Sequence, residues 1–184
     1  MEVAAAAVRG GADIVQLRHK SMPRGELLDL AKRMRSNLGG ALFVVNDYVD
    51  IALLSEADGV HLGPDDLSVA SARRVAGDRL LIGASASTSE RAHGAVAEGA
   101  DYLGCGPAFA TPIKAGKSVI GPEGIAAIAR RVDVPVFAIG GIGASNVRQL
   151  IAAGLHRVCV LRAVGDAPDP EKAARELRAM LSAT

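Results

Sequence analysis

Asp47 and Asp66 close two successive predicted strands, and the run Gln16-Leu17-Arg18-His19-Lys20 closes a third. Carboxylate oxygens are the ligands hard divalent cations take, and guanidinium and ammonium groups complement phosphate oxygens. Two carboxylates and two cations gathered at one rim are what a magnesium-bound pyrophosphate needs. The carboxylates would hold Mg²⁺, and Arg18 and Lys20 would take the phosphate charge the metal leaves uncovered. Arg18 and Lys20 stand two apart, so they share one face if the strand runs on through them. The bland reading of each piece is plain: a solvated charge pair at a strand end, and an Asn-Asp turn signal at Asn46-Asp47.

Bringing these residues together needs several strands that end at one edge. Short apolar runs recur at Asp13–Arg18, Ala41–Asp47, Gly59–Leu62, Leu80–Ser85, Tyr102–Pro107, Val136–Gly141 and Arg157–Ala163. Amphipathic stretches lie between them: Arg24–Ser36, Ser68–Ala76, Ser89–Glu98, Gly124–Arg131, Ala144–Ala153 and Glu171–Leu181. Such alternation predicts βα units with right-handed crossovers and a parallel sheet. Gly10-Gly11-Ala12-Asp13, Gly99-Ala100-Asp101 and Gly154-Leu155-His156 read as helix stops before the next strand, the first two forming a weak internal repeat. Polar residues collect at the carboxyl ends of the strands, the face where (β/α)8 barrels carry their sites. The expected fold is therefore α/β, a TIM (β/α)8-type barrel in one domain over residues 1–184.

Seven strands are predicted where such a barrel has eight, and the chain opens with a helix, Glu2–Arg9. The first strand of the barrel is missing. Either the true start lies upstream of Met1 or the barrel is open between Asp13–Arg18 and Arg157–Ala163. An open edge exposes unpaired backbone unless it is covered or paired with another chain, which leaves room for a homo-oligomer.

The bulk numbers narrow the function classes. The 184 residues are 49% hydrophobic, with 21 basic and 20 acidic side chains and a formal charge of +1. That balance gives no electrostatic case for nucleic acid or a membrane surface, and 3% aromatics with no Trp offers few stacking platforms. Neither a signal peptide nor an apolar run near membrane-spanning length is present, so a cytoplasmic location is expected. Cys105 and Cys159 lie in apolar runs and read as core packing rather than as a disulfide or metal pair.

Further motifs sit on the same rim. Ser85 ends its strand, although lone serines usually satisfy local backbone. Lys114 lies in a loop over 108–121 whose length suggests a lid. Gly140-Gly141-Ile142-Gly143 precedes a helix carrying Asn146, an arrangement suited to phosphate. His61 carries no assigned role and reads as a hydrogen bond across the rim.

Taken in order, these motifs resemble the thiamine phosphate synthase family. The carriers are Gln16–Lys20, Val45-Asn46-Asp47-Tyr48-Val49-Asp50-Ile51-Ala52 and Ala57-Asp58-Gly59-Val60-His61-Leu62-Gly63-Pro64-Asp65-Asp66-Leu67. They continue through Ile82–Ser85, Gly99–Pro107, Thr111-Pro112-Ile113-Lys114 and Ala138–Ile142. Each is weak alone; their order and spacing are specific. The resemblance implies a transferase that joins hydroxymethylpyrimidine diphosphate to a thiazole phosphate with Mg²⁺ assistance, releasing pyrophosphate. It implies metal binding by Asp47 and Asp66, with Asp65 a one-residue alternative to Asp66. It implies diphosphate contacts from Arg18, Lys20 and Lys114, the catalytic set, with Gln16, Leu17 and His19 in the same substrate-binding stretch. Asn46 and Ser85 would meet the pyrimidine; Thr111, Pro112 and Ile113 belong to the lid. Gly141, Leu161 and Arg162 would meet the thiazole phosphate.

The chain departs from the family pattern at three positions. Ile113 replaces a lid threonine, Arg162 replaces a serine on the last strand, and Ser87 stands where a histidine is usual. That histidine is the one a related thiazole tautomerase needs, so its absence counts against an isomerase. A non-catalytic phosphate-binding barrel stays open as a rival, favoured by the missing strand and the two thiazole-side changes. Another barrel enzyme with a standard phosphate site also stays open, but it leaves the paired aspartates unexplained.

Overall fold

The computed structural model describes residues 1–111 and 118–183. Helix α1 (Glu2–Arg9) leads into β1 (Ile14–Leu17), followed by α2 (Arg24–Asn37), β2 (Leu42–Asn46), α3 (Val49–Leu54) and β3 (Gly59–Leu62). The chain continues through α4 (Val69–Ala76), a 3-10 turn (Gly77–Arg79), β4 (Leu81–Ala86), α5 (Ser89–Ala97) and β5 (Tyr102–Cys105). It ends with α6 (Gly121–Ala129), β6 (Val136–Ile139), α7 (Val147–Ala152), β7 (Val158–Cys159), α8 (Arg162–Gly165) and α9 (Pro170–Ser182). The strands form one seven-stranded sheet in sequential order, each neighbouring pair parallel. Side-chain caps from Ser68, Thr88 and Asp169 start α4, α5 and α9, each satisfying an orphan N–H of its first turn.

One face of every strand is packed under helices. Phe43, Val45, Val60, Ile82, Leu103, Cys105 and Ala138 are completely buried on it, together with Leu27, Ala31, Ala72, Ile125 and Leu150 from the covering helices. Alternation along each strand puts Asn46, His61, Gly83 and Tyr102 on the opposite face. Pairing places these four in one register row across β2 to β5. Ser85 and Gly104 stand opposite each other one step nearer the carboxyl edge.

The weak Gly-Ala-Asp repeat has a structural reason at the other edge. Asp58 accepts the Phe43 N–H at 2.7 Å and pairs with Arg35 of α2 at 3.0 Å. Asp101 repeats this two strands on, accepting the Ile82 N–H at 2.7 Å and pairing with Arg73 of α4 at 2.6 Å. Asp13 pairs with Arg178 of α9. Asp58 and Asp101 each close an N–H on the neighbouring strand, and all three aspartates tie their strand to a helix.

Three expectations are corrected. Strand β1 stops at Leu17, so Arg18 and Lys20 leave the sheet and share no strand face. The last predicted strand is only Val158–Cys159, and Arg162 opens the short helix α8. With β6 as its one ladder partner, β7 gains half the hydrogen bonds of an inner strand, and Leu161, 64% exposed, does not hold the run in the sheet. Helix α3 was not expected at all, because six residues give too little periodicity to separate from the end of β2. Cys105 is buried and Cys159 half-buried, no disulfide joins them, and burial pushes the Cys105 thiol up to about 11. No helix among the described residues is long and apolar enough to cross a membrane.

Candidate active site

Asp47 sits just past β2 in a backbone conformation that side chains rarely adopt, with φ at +69°. The Tyr48 N–H donates to the Asn46 carbonyl at 2.9 Å, closing a γ-turn of the rarer hand around Asp47, while the Asp47 N–H donates to the His61 carbonyl at 2.8 Å. Strain of this kind persists only where the surroundings enforce it and collects at functional sites. The turn aims the Asp47 carboxylate along the carboxyl edge, where Asn46 Nδ2 donates to it.

Asp66 meets Asp47 from the loop after β3. The Gly63 N–H donates to Asp66 Oδ2 at 2.7 Å, and a Cβ at Gly63 would lie only 2.9 Å from that oxygen, so the glycine makes room for the carboxylate. Burial, then the hydrogen bond and charge of Asp66, raise the Asp47 carboxyl above the usual carboxylate range, against the lowering pull of Lys20. Lys20 Nζ stands 3.5 Å from Asp47 Oδ2, its side chain 59% exposed. The structure therefore brings Asp66 against Asp47 and leaves Asp65 exposed to solvent.

Two like charges pressed together are what a divalent cation between them would relieve. Among the described residues no three His, Cys, Asp or Glu side chains group as a metal cage. A cation at Asp47 and Asp66 would draw its other ligands from water and phosphate oxygens, the manner in which Mg²⁺ is usually held.

The remaining expected residues are distributed around this pair. Gln16, Arg18 and His19 are exposed at the end of β1, and Leu17 is buried beneath them. Asn46 is buried beside Asp47. Ser85 is half-buried, its Oγ 3.0 Å from His61 Nε2. Thr111 is half-buried at the start of the long loop; Pro112, Ile113 and Lys114 lie outside the described residues.

On the far side of the sheet edge, Gly140 and Gly141 both take positive φ, and a Cβ on Gly141 would lie 2.7 Å from the Ala110 carbonyl. The Asn146 carboxamide closes this loop, accepting the Gly143 N–H at 2.9 Å and donating to the Gly141 carbonyl at 2.8 Å. The Gly143 N–H is thus engaged within the loop. A Cβ at Gly143 would touch Ala163 at 3.7 Å, so the loop lies against α8, which carries exposed Arg162.

Two residues escaped the sequence reading. Arg24, at the start of α2, pairs with Asp50 and lies 4.5 Å over the Tyr48 ring, adding a cation beside the Asp47 turn. Tyr102 reaches across β4 to His61, its Oη 3.3 Å from Nδ1. The signal for Tyr102 was the glycine at position 83, where a Cβ would lie 2.0 Å from Tyr102 Cζ. Gly83→Ala is accordingly expected to displace the tyrosine, cost about 1–3 kcal/mol by overpacking, and remove the Tyr102–His61 contact. Thermal melts and a crystal structure of the variant check this; an unmoved ring refutes it.

A parallel α/β sheet with charged and polar groups along its carboxyl edge defines a class of proteins whose ligands bind at that edge. Within that class the particular family is shown: residues 1–164 match the family model described as thiamine monophosphate synthase, and the chain belongs to that family. It is 48% identical over 172 residues to a thiamine-phosphate synthase of Gloeobacter violaceus, covering 92% of this chain and 50% of the relative. It is 45% identical over 184 residues to that of Methanocella arvoryzae, covering 98% of this chain and 87% of the relative. The chain thus spans about half the length of some relatives and most of the length of others. A thiamine phosphate pyrophosphorylase structure from Pyrococcus furiosus superposes with a TM-score of 0.92 at 40% identity, over 99% of this chain and 89% of that one. A 3-hexulose-6-phosphate synthase, 21% identical with a TM-score of 0.78, shares the fold.

Proposed function

We propose that this chain is a thiamine phosphate synthase, a transferase that joins hydroxymethylpyrimidine diphosphate to a thiazole phosphate and releases pyrophosphate. The observation that carries the reading is the Asp47–Asp66 carboxylate pair beside Lys20, in a member of this family. Bound Mg²⁺ would supply charge neutralisation to the departing diphosphate. Asp47 and Asp66 would hold it, and Arg18, Lys20 and Lys114 would bind the phosphate oxygens left uncovered. Asn46 and Ser85 would orient the pyrimidine ring. A departing anion needs charge stabilisation more than a base, and the rim supplies cations for it.

We also read the seven strands as belonging to a single (β/α)8-type barrel domain over 1–184. The outer edges of β1 and β7, which pair with no other strand among the described residues, would suit a homo-oligomer, and the protein would act in the cytoplasm. Ser87 in place of the tautomerase histidine favours the transferase over the isomerase. Incubation with both substrates and Mg²⁺, following pyrophosphate release, tests the function. No release from folded protein would sink it in favour of a binding protein.

The thiazole phosphate would lie between the Gly141 loop and Arg162, which α8 carries against that loop. A guanidinium fork can replace a serine as a phosphate donor. Arg162→Ala is expected to raise KM for the thiazole phosphate about tenfold or more and leave KM for the pyrimidine diphosphate nearly unchanged. Equal effects on the two constants would refute the placement.

A further inference from the structure

Three polar side chains among the described residues are buried: Asn46, Ser55 and His61. Asn46 meets Asp47, and Ser55 bonds its own helix at the Ile51 carbonyl. His61 is the third, the register partner of Asn46 on the same sheet face. Burying an imidazole is costly unless its nitrogens are matched, and here both face hydroxyls. Nδ1 lies 3.3 Å from Tyr102 Oη and Nε2 lies 3.0 Å from Ser85 Oγ.

The sheet is shaped around this chain of groups. Gly83 pairs with both His61 and Tyr102 in register, and a Cβ there would overlap the tyrosine ring. A Cβ at Gly104 would lie 3.1 Å from His61 Cε1. Phe137 holds the other side of Tyr102 edge-on, ring centres 5.6 Å apart. Glycine inside a strand weakens it and marks a close approach; two of them here clear space for one ring pair.

Hydrogen-bond polarity then follows the chain. A neutral imidazole has one N–H and one lone pair. The half-buried Tyr102 hydroxyl can donate, and Nδ1 is in reach as its acceptor. With Nδ1 accepting, the ring proton lies on Nε2 and is donated to Ser85 Oγ. The Ser85 proton is thereby turned away from His61, toward the ligand side of the rim.

We infer that Tyr102 and His61 are positioning residues that fix Ser85 as a hydrogen-bond donor, selecting a substrate ring that presents an acceptor nitrogen at that point over one that presents an N–H. The inference rests on the reading that Ser85 meets the pyrimidine of the proposed substrate.

The test joins ¹⁵N NMR of histidine-labelled protein at about pH 8, where free imidazole is neutral, with kinetics of Y102F, H61Q and H61L. Among the four histidines, the His61 signals are those lost in H61Q. The expected wild-type tautomer has its proton on Nε2, and Y102F populates the other tautomer. Y102F and H61L should raise KM for the pyrimidine diphosphate about tenfold, the loss of roughly one hydrogen bond, with KM for the thiazole phosphate unchanged. H61Q, whose amide N–H can stand near the Nε2 position, should stay within about threefold of wild type. A wild-type proton on Nδ1, equal rises in both constants, or H61Q as impaired as H61L overturns the inference. If H61L does not fold, Y102F, which removes a single hydroxyl, carries the kinetic arm. If the wild type turns over neither substrate, the proposed function has failed and the tautomer measurement alone decides the positioning.

Discussion

Asp47→Asn is expected to melt at a higher temperature than the wild type without Mg²⁺, and to lose on the order of a thousandfold in pyrophosphate release. Both effects come from one side chain. Burial and the neighbouring Asp66 raise the Asp47 carboxyl, so its charged form costs the folded state stability. Asparagine keeps a side-chain amide at the turn, tolerates the positive φ better than most residues, and removes the like-charge contact. The sign with pH follows. Between the ordinary carboxylate value and the raised one, the folded protein binds more protons at this site than the unfolded chain. Metal-free stability from this group is therefore complete at lower pH and is lost as pH rises through the raised value. Mg²⁺ should reverse that trend in the wild type and leave the variant unmoved. Melting curves with and without Mg²⁺ at two pH values, beside turnover, decide it. A variant that melts no higher, or that Mg²⁺ still stabilises, rules out the carboxylate pair as a metal site.

Lys20→Met carries the second large effect, a loss of about a hundredfold to a thousandfold in kcat/KM. Lys20 has two parts in the proposed mechanism. It supplies a cation for the leaving diphosphate, and at 3.5 Å it lowers the Asp47 carboxyl against the influence of burial and Asp66. Without it Asp47 holds its proton to higher pH, so the acid limb of the pH–rate profile should move toward alkaline pH at limiting Mg²⁺. Lys20→Arg should return the limb toward the wild-type position. An acid limb that stays fixed in Lys20→Met would show that the pairing does not govern the metal site.

Helix α8 shows where reading along the chain fails. Residues 157–163 are an apolar run that local pattern assigns to a strand, but the seventh strand has one neighbour and ends after two residues. Its length depended on the ladder, which is tertiary. Arg162 consequently belongs to a helix set against the Gly141 loop. The run Gln16–Lys20 fails in the same way: the sheet ends at Leu17, and Lys20 reaches Asp47 from a bend.

The aspartate pair lies between these cases. Asn46-Asp47 and Gly63-Pro64-Asp65-Asp66 were visible as strand-end polar residues, since a period of two and an apolar run place a carboxyl edge without any contact. The family pattern had already put Asp66 ahead of Asp65, and the Gly63–Asp66 turn adds a physical reason, holding one carboxylate inward while the other is exposed. Of the Tyr102–His61–Ser85 chain only a hydrogen bond from His61 across the rim was expected; its partners were not legible, because the chain joins three strands through a register that no single segment encodes.

Alternating apolar runs and glycine stops determined by themselves that the chain forms parallel βα units with polar residues at one sheet edge. Burial periodicity and backbone freedom are local properties. The folded structure decided which edge residues touch, which carboxylate holds a raised proton affinity, and which ring crosses a glycine to reach a histidine. Those depend on distances between strands far apart in sequence, where register and solvent exclusion set both contact and charge.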